Sequence, residues 1–149
     1  MSNNQGQHKS NGKTRILIVD DHPLIRQGVA LLISHEDDLV VSAQAENAQE
    51  ALDVLEKEEI DLAIVDISLE GVNGIQLTEQ IKSRYPQVHV LVLTMHDEDV
   101  YGKEAFDAGA KGYVTKCEAS ETIIAAIRLI LIGKNYVSGR TNQEFLKEE

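Results

Sequence analysis

The chain has 149 residues, 42% of them hydrophobic and 26% charged, which is enough for one folded unit with a sizeable core and too little for two ordinary ones. Its formal charge of −11 comes from 14 basic against 25 acidic side chains, so this chain is not expected to grip a nucleic-acid backbone by itself. A single cysteine, Cys117, excludes an internal disulfide and a cysteine-based zinc site, and no apolar N-terminal run marks a signal peptide. The longest greasy stretch, Ile123 to Ile132, is interrupted by Arg128 and too short to span a bilayer, so a cytoplasmic protein with no membrane partner is expected.

Residues 1–13 are Asn, Gln, Ser, Gly and Lys without apolar periodicity and read as a disordered leader. Arg15 to Asp21 is a buried strand ending in acid. Pro23 opens a helix whose stripe of Leu24, Gly28, Leu31 and Leu32 runs to about Ser34. Leu39 to Ala45 is a strand, and Asn47 with Glu50 marks a helix start. Ala48, Ala51, Leu52 and Leu55 then line one face of that helix. Leu62 to Val65 is a short β-branched run closed by Asp66, the pattern of a parallel strand buried on both faces. Asn73 and Gly74 introduce a helix with Leu77 and Ile81 inward, stopped at Tyr85-Pro86. Val88 to Thr94 is the fourth strand and about Asp97 to Ala108 a helix. Gly112 to Lys116 is the fifth strand, and a last helix runs from about Ala119 to Ile132, ended by Gly133. Strand and helix alternate five times, which demands a parallel sheet covered on both faces. Its commonest small form is the flavodoxin-like (βα)5 fold with strand order 2-1-3-4-5, placed here over residues 14–133.

The polar residues that stand out close different strands: Asp20 and Asp21, Asp66, Thr94, and Lys116. In a parallel sheet those ends share one rim, so three carboxylates meet in one crevice. Their mutual repulsion is relieved by a hard divalent cation, and Mg²⁺ is the natural candidate. Lys116 and the Thr94 hydroxyl then offer a point charge and a donor to an incoming anion, a set that suits phosphoryl transfer. His22 and His96 flank the crevice without a partner at metal-ligand spacing and read as solvent-facing modifiers.

With these residues in hand, the chain resembles the receiver domain of bacterial two-component response regulators. The resemblance rests on Asp20-Asp21-His22-Pro23, on the turn from Asp66 through Gly71 to Gly74, on Leu93-Thr94, and on Ala110-Lys111-Gly112-Tyr113-Val114-Thr115-Lys116. The run Asp21 to Gly28 together with Gly109 to Tyr113 is similar to the NarL/FixJ (LuxR) type, whose members usually carry a C-terminal helix-turn-helix domain. The resemblance implies that Asp66 is a phosphoacceptor supplied by a sensor histidine kinase. It implies Mg²⁺ held by Asp20 or Asp21, Asp66 and the Ser68 carbonyl, with Lys116 pairing with the phosphoryl group. Thr94 and Tyr113 would be the switch pair, carrying the signal to the face of the fourth helix, fifth strand and fifth helix. The chain would be a switch that catalyses only its own phosphotransfer and dephosphorylation. Alternatives are a pseudo-receiver that binds partners without phosphorylation, and a Mg²⁺-dependent phosphatase.

Two positions depart from the family's habit. Glu70 stands where many relatives have proline, and Cys117 follows Lys116 where many have a proline, so a cis bond is not expected there. Residues 134–149 resemble the start of a linker toward an output domain that the chain does not include, so DNA contact would come only through that absent domain. The last helix is apolar nearly all round, from Ile123 and Ile124 to Leu131 and Ile132, and such a helix wants cover on every side. A homodimer through this helix or through the signalling face is the expectation.

Overall fold

The computed structural model describes residues 12–67, 73–94, 102–115 and 119–137, with the backbone alone for 119–121. The leader up to residue 11, Ser68, Glu70, His96, Lys116, Cys117 and the tail from 138 lie outside the described residues.

Six parallel strands form one sheet: β1 (Thr14–Val19), β2 (Leu39–Ala45), β3 (Leu62–Asp66), β4 (His89–Thr94), β5 (Gly112–Thr115) and β6 (Tyr136–Val137). Between them run α1 (Pro23–Ser34), α2 (Ala48–Lys57), α3 (Gly74–Arg84), α4 (Gly102–Asp107) and α5 (Ala119–Leu131). The strand order is 2-1-3-4-5-6, so the flavodoxin-like order holds and gains one strand at the β5 edge. That strand comes from the segment read above as the start of a linker.

The strands are apolar on both sides because both sides are covered. Ile16, Ile18, Leu62, Ile64, Leu91, Leu93 and Val114 meet α1 and α5, while Leu17, Val19, Ala63, Val65, Val90 and Val92 meet α2, α3 and α4. Alternate residues of each strand therefore belong to opposite cores, as the pleat requires. Helix starts are set by side chains: the Asn47 carbonyl oxygen accepts from Glu50 N and that of Asn73 from Gln76 N, both at 2.9 Å. Glu50 reaches back one residue further than a capping box does, accepting from Glu46 N at 2.8 Å.

Helix α1 corrects the expected stripe. Val29 and Ile33 are buried, with Ile25 packed beside them, whereas Leu24 and Leu31 are 80% and 62% exposed. The helix carries apolar residues on two sides, and periodicity alone could not choose which one the sheet takes. Helix α5 is covered largely by its own fold. Ile123, Ala126, Ile127 and Ile130 are buried, and the helix touches α1, β4, β5 and β6, leaving Ile132 outside at 69% exposure. Arg128 ties it to the α1–β2 connection, donating to both Asp38 carboxylate oxygens at 2.8 and 2.9 Å and to Glu36 at 2.7 Å. Those bonds hold the Asp38 carboxyl below its usual range.

At the opposite rim from the strand ends, Asp61 staples three strands together. Its carboxylate accepts from Arg15 N at 2.8 Å, its N–H donates to Arg15 O at 2.9 Å, and its carbonyl accepts from His89 N at 3.0 Å. His89 is half-buried there, and burial, helped by the charges of Lys82 and Lys111, pushes its imidazole pKa down. The unfolded chain therefore takes up a proton at this residue before the folded one does, so stability rises with pH across that interval. Chemical denaturation should show full stability above about pH 6.5, declining as the pH falls from there through the lower folded-state value. The acid-side slope should be smaller in His89→Gln, and an unchanged slope would remove His89 from the account.

Candidate functional site

The acids converge because the chain turns sharply at each strand end. Asp20 follows β1, its N–H still bonded to Ala45 O at 3.0 Å, and its side chain folds forward to accept from His22 N at 2.8 Å. This Asx-type turn delivers the chain to Pro23, whose fixed φ suits the first position of α1. One turn into that helix, Arg26 reaches back to donate from Nη1 to the Asp20 carbonyl at 2.5 Å. Asp66 is the last residue of β3, opposite Leu93 in the register, and the next N–H, of Ile67, donates to Leu93 O at 2.9 Å.

The result is a group of four side chains, Asp20, Asp21, His22 and Asp66, whose ligating atoms all lie within 4.8 Å of one another. His22 Nδ1 stands 2.8 Å from Asp20 Oδ1, 3.1 Å from Asp21 Oδ1 and 3.6 Å from Asp66 Oδ2. Asp20 and Asp66 are both 0% exposed. Asp21 Oδ1 is screened from solvent and takes no hydrogen bond, its contact being the His22 nitrogen. Oxygen donors of like charge, two of them withdrawn from water, form the donor set that a hard divalent cation prefers. The residues present fit such an ion: Asp20, Asp21, His22 and Asp66 form a group that could hold it.

The other expected residues divide between described and undescribed. Thr94 is fully buried at the end of β4, one residue beyond the partner of Asp66, and pairs with Thr115 across to β5. Tyr113 is 2% exposed, its ring inside the core shared with α2, α3 and α4. The sheet order brings the strands of Asp20, Asp66, Thr94 and Tyr113 side by side; Lys116 and Ser68 lie outside the described residues.

Three contributors escaped the sequence reading. His22 is 51% exposed, in keeping with the solvent-facing expectation, yet its Nδ1 turns into the acids. Its position next to Asp20-Asp21 and before a helix-starting proline was the available signal. Arg26 gave no signal at all, since its role is a main-chain contact. Gly74 was read only as a helix start. A Cβ built there would lie 2.3 Å from the Asp66 carbonyl oxygen and 2.6 Å from Ile67 Cα, and its own N–H donates to Ile67 O at 3.0 Å. Helix α3 thus abuts the main chain that carries Asp66, and only a residue without a side chain allows it.

Comparison with known proteins now decides the family. The family model described as the response regulator receiver domain matches residues 16–128. The chain belongs to that family. It is 34% identical over 136 residues to the transcriptional regulatory protein DegU of Brevibacillus brevis, covering 91% of this chain and 58% of that protein. It is 32% identical to the response regulator GacA of Pseudomonas viridiflava, over 87% of this chain and 61% of the relative. The crystal structure of a LuxR-family two-component response regulator from Aurantimonas sp. SI85-9A1 superimposes with a TM-score of 0.84 at 35% identity, covering 91% of this chain and 97% of that one. The receiver domain is thus of the NarL/FixJ (LuxR) type, and the chain spans about three-fifths of the length of the curated relatives it matches.

Because backbone rather than side-chain ends surrounds Gly74, Gly74→Ala should lower stability by about 1–3 kcal/mol. It should also weaken divalent-ion binding at Asp66, measured by urea unfolding and by titration calorimetry. A variant with wild-type values for both would show that α3 can retreat without disturbing the site.

Proposed function

We propose that this receiver is a phosphorylation-controlled switch in which Asp66 accepts a phosphoryl group from the phosphohistidine of a sensor kinase. The observation that supports this most is the burial of the Asp66 carboxylate at the strand rim within reach of Asp20 and Asp21. A carboxylate oxygen of Asp66 attacks phosphorus, the P–N bond of the donor breaks, and its electron pair returns to the donor imidazole. Transfer of this kind needs chiefly alignment and charge neutralisation. Asp20, Asp21, Asp66 and the Ser68 carbonyl would hold Mg²⁺, which would supply positive charge to offset that of the transferring phosphoryl group. Lys116 gives a second positive charge, and the Thr94 hydroxyl turns to bond the new phosphoryl group. Tyr113, on the neighbouring strand, reports that movement to the face of α4, β5 and α5.

Receiver domains of transcriptional regulators are generally not enzymes, and we read this one likewise as a regulator's input, with autodephosphorylation as its only turnover. The similarity to DegU, a transcriptional regulatory protein, supports a place for this receiver in the control of transcription. Homodimerisation through α5 or the α4–β5–α5 face would couple phosphorylation to that output. No helix among the described residues is long and apolar enough to cross a membrane.

Incubation with Mg²⁺ and acetyl phosphate should give a single labile adduct of one phosphoryl group by intact mass, cleaved by hydroxylamine and absent from Asp66→Asn. Chelation of the metal should slow its formation by at least about tenfold. An adduct that persists in Asp66→Asn would move the acceptor elsewhere, no adduct would favour a pseudo-receiver, and turnover of unrelated phosphoesters would favour a phosphatase.

A further inference from the structure

We propose that β6 is a strap docked in cis on the switch strand, and that its docking and the buried position of the Tyr113 ring stabilise one another. The segment leaving α5 would then be wired directly to the switch. The chain is turned from α5 into the strap by a built helix stop. Gly133 adopts φ +92°, its N–H donates to Ile130 O at 3.0 Å, and Lys134 N donates to Leu129 O at 2.9 Å. These are the paired bonds of a Schellman motif, and they send the chain back along the sheet edge. Tyr136 N then donates to Lys111 O at 3.0 Å, and Tyr136 and Val137 align in parallel with Gly112 and Tyr113.

A ladder of two residues holds little by itself. What anchors it is side-chain burial: Tyr136 packs toward the core of α1 and α5, while Val137, 3% exposed, enters the opposite core. That second core also holds Tyr113, its register partner, with Val92 and Ala105. Register partners in a parallel pair project from the same face, so a Tyr113 ring that leaves this core removes part of the floor under Val137. Conversely, an undocked strap leaves β5 as an open edge and exposes the side of the pocket that the ring fills. Such a short strand belongs to the low-stability end of a fold, where modest shifts change its occupancy. Because coupling is reciprocal, whatever favours the buried ring favours the strap, and the strap favours the phosphorylated state. The last step rests on the role given to Asp66 and Tyr113 under Proposed function.

Residue-resolved amide exchange on the full chain tests this. The Tyr136 amide should exchange about tenfold faster in Tyr113→Leu or Tyr113→Ala, measured relative to the β1 amides that report global opening. With Mg²⁺ and beryllofluoride it should slow in the wild type, and Val137→Ser should weaken beryllofluoride binding by about fivefold or more. A Tyr136 amide that only tracks the β1 amides in both Tyr113 variants would overturn the strap. Failure of the wild type to bind beryllofluoride would instead overturn the phosphoryl link and the reading of Asp66, while the exchange result still decides whether strap and ring are coupled. Equal beryllofluoride affinity with and without Val137 would overturn the reciprocal half.

Discussion

The constraint on which this structure depends is the gathering of three carboxylates at one rim of a parallel sheet, two of them out of reach of water. Like charges at such separation repel strongly once solvent is excluded, and a protein does not keep them there without compensation. The fold supplies part of it locally. His22 sets an imidazole nitrogen among the acids, and Arg26 places a guanidinium against the Asp20 main chain. A divalent cation supplies the remainder in the reading given above, and the need for one links the fold's electrostatics to its chemistry.

Much of the scaffold serves to hold those acids in place. The Asp61 staple at the far rim fixes the offsets of β1, β3 and β4, and so the height at which Asp20 and Asp66 emerge. Gly74 lets α3 close on the main chain behind Asp66, which leaves that carboxylate little freedom. On the other side of the sheet Arg128 clips α5 to the α1–β2 connection, so the two helices covering that face move as a pair.

The sequence made legible whatever local chemistry determines. Asn47 and Asn73 announced their helices, the β-branched runs announced doubly covered strands, and acids at successive strand ends announced a shared site. Residues settled by tertiary contact were harder. Helix α1 offers two apolar stripes, and only the sheet selects Ile25, Val29 and Ile33 over Leu24 and Leu31. Gly74 looks like any helix-opening glycine until the backbone of Ile67 is set against it. Strand β6 comprises two residues in a polar stretch, too few for a period-two pattern, and it exists only because β5 has an edge to pair. His22 shows no metal-ligand spacing in the sequence, because it meets Asp20 and Asp21 beside it in the chain and Asp66 only through the sheet.

The most direct test of the shared-cation account is the thermal midpoint of the protein in the presence and absence of Mg²⁺, for the wild type and for Asp20→Asn. The account predicts that Mg²⁺ at tenfold its dissociation constant raises the wild-type midpoint by about 3–6 °C. Asp20→Asn should lose that rise and melt higher than the wild type when no divalent ion is present, because one repelling charge is gone. A wild-type midpoint indifferent to Mg²⁺, or a metal-free Asp20→Asn protein that melts lower than the wild type, would contradict it.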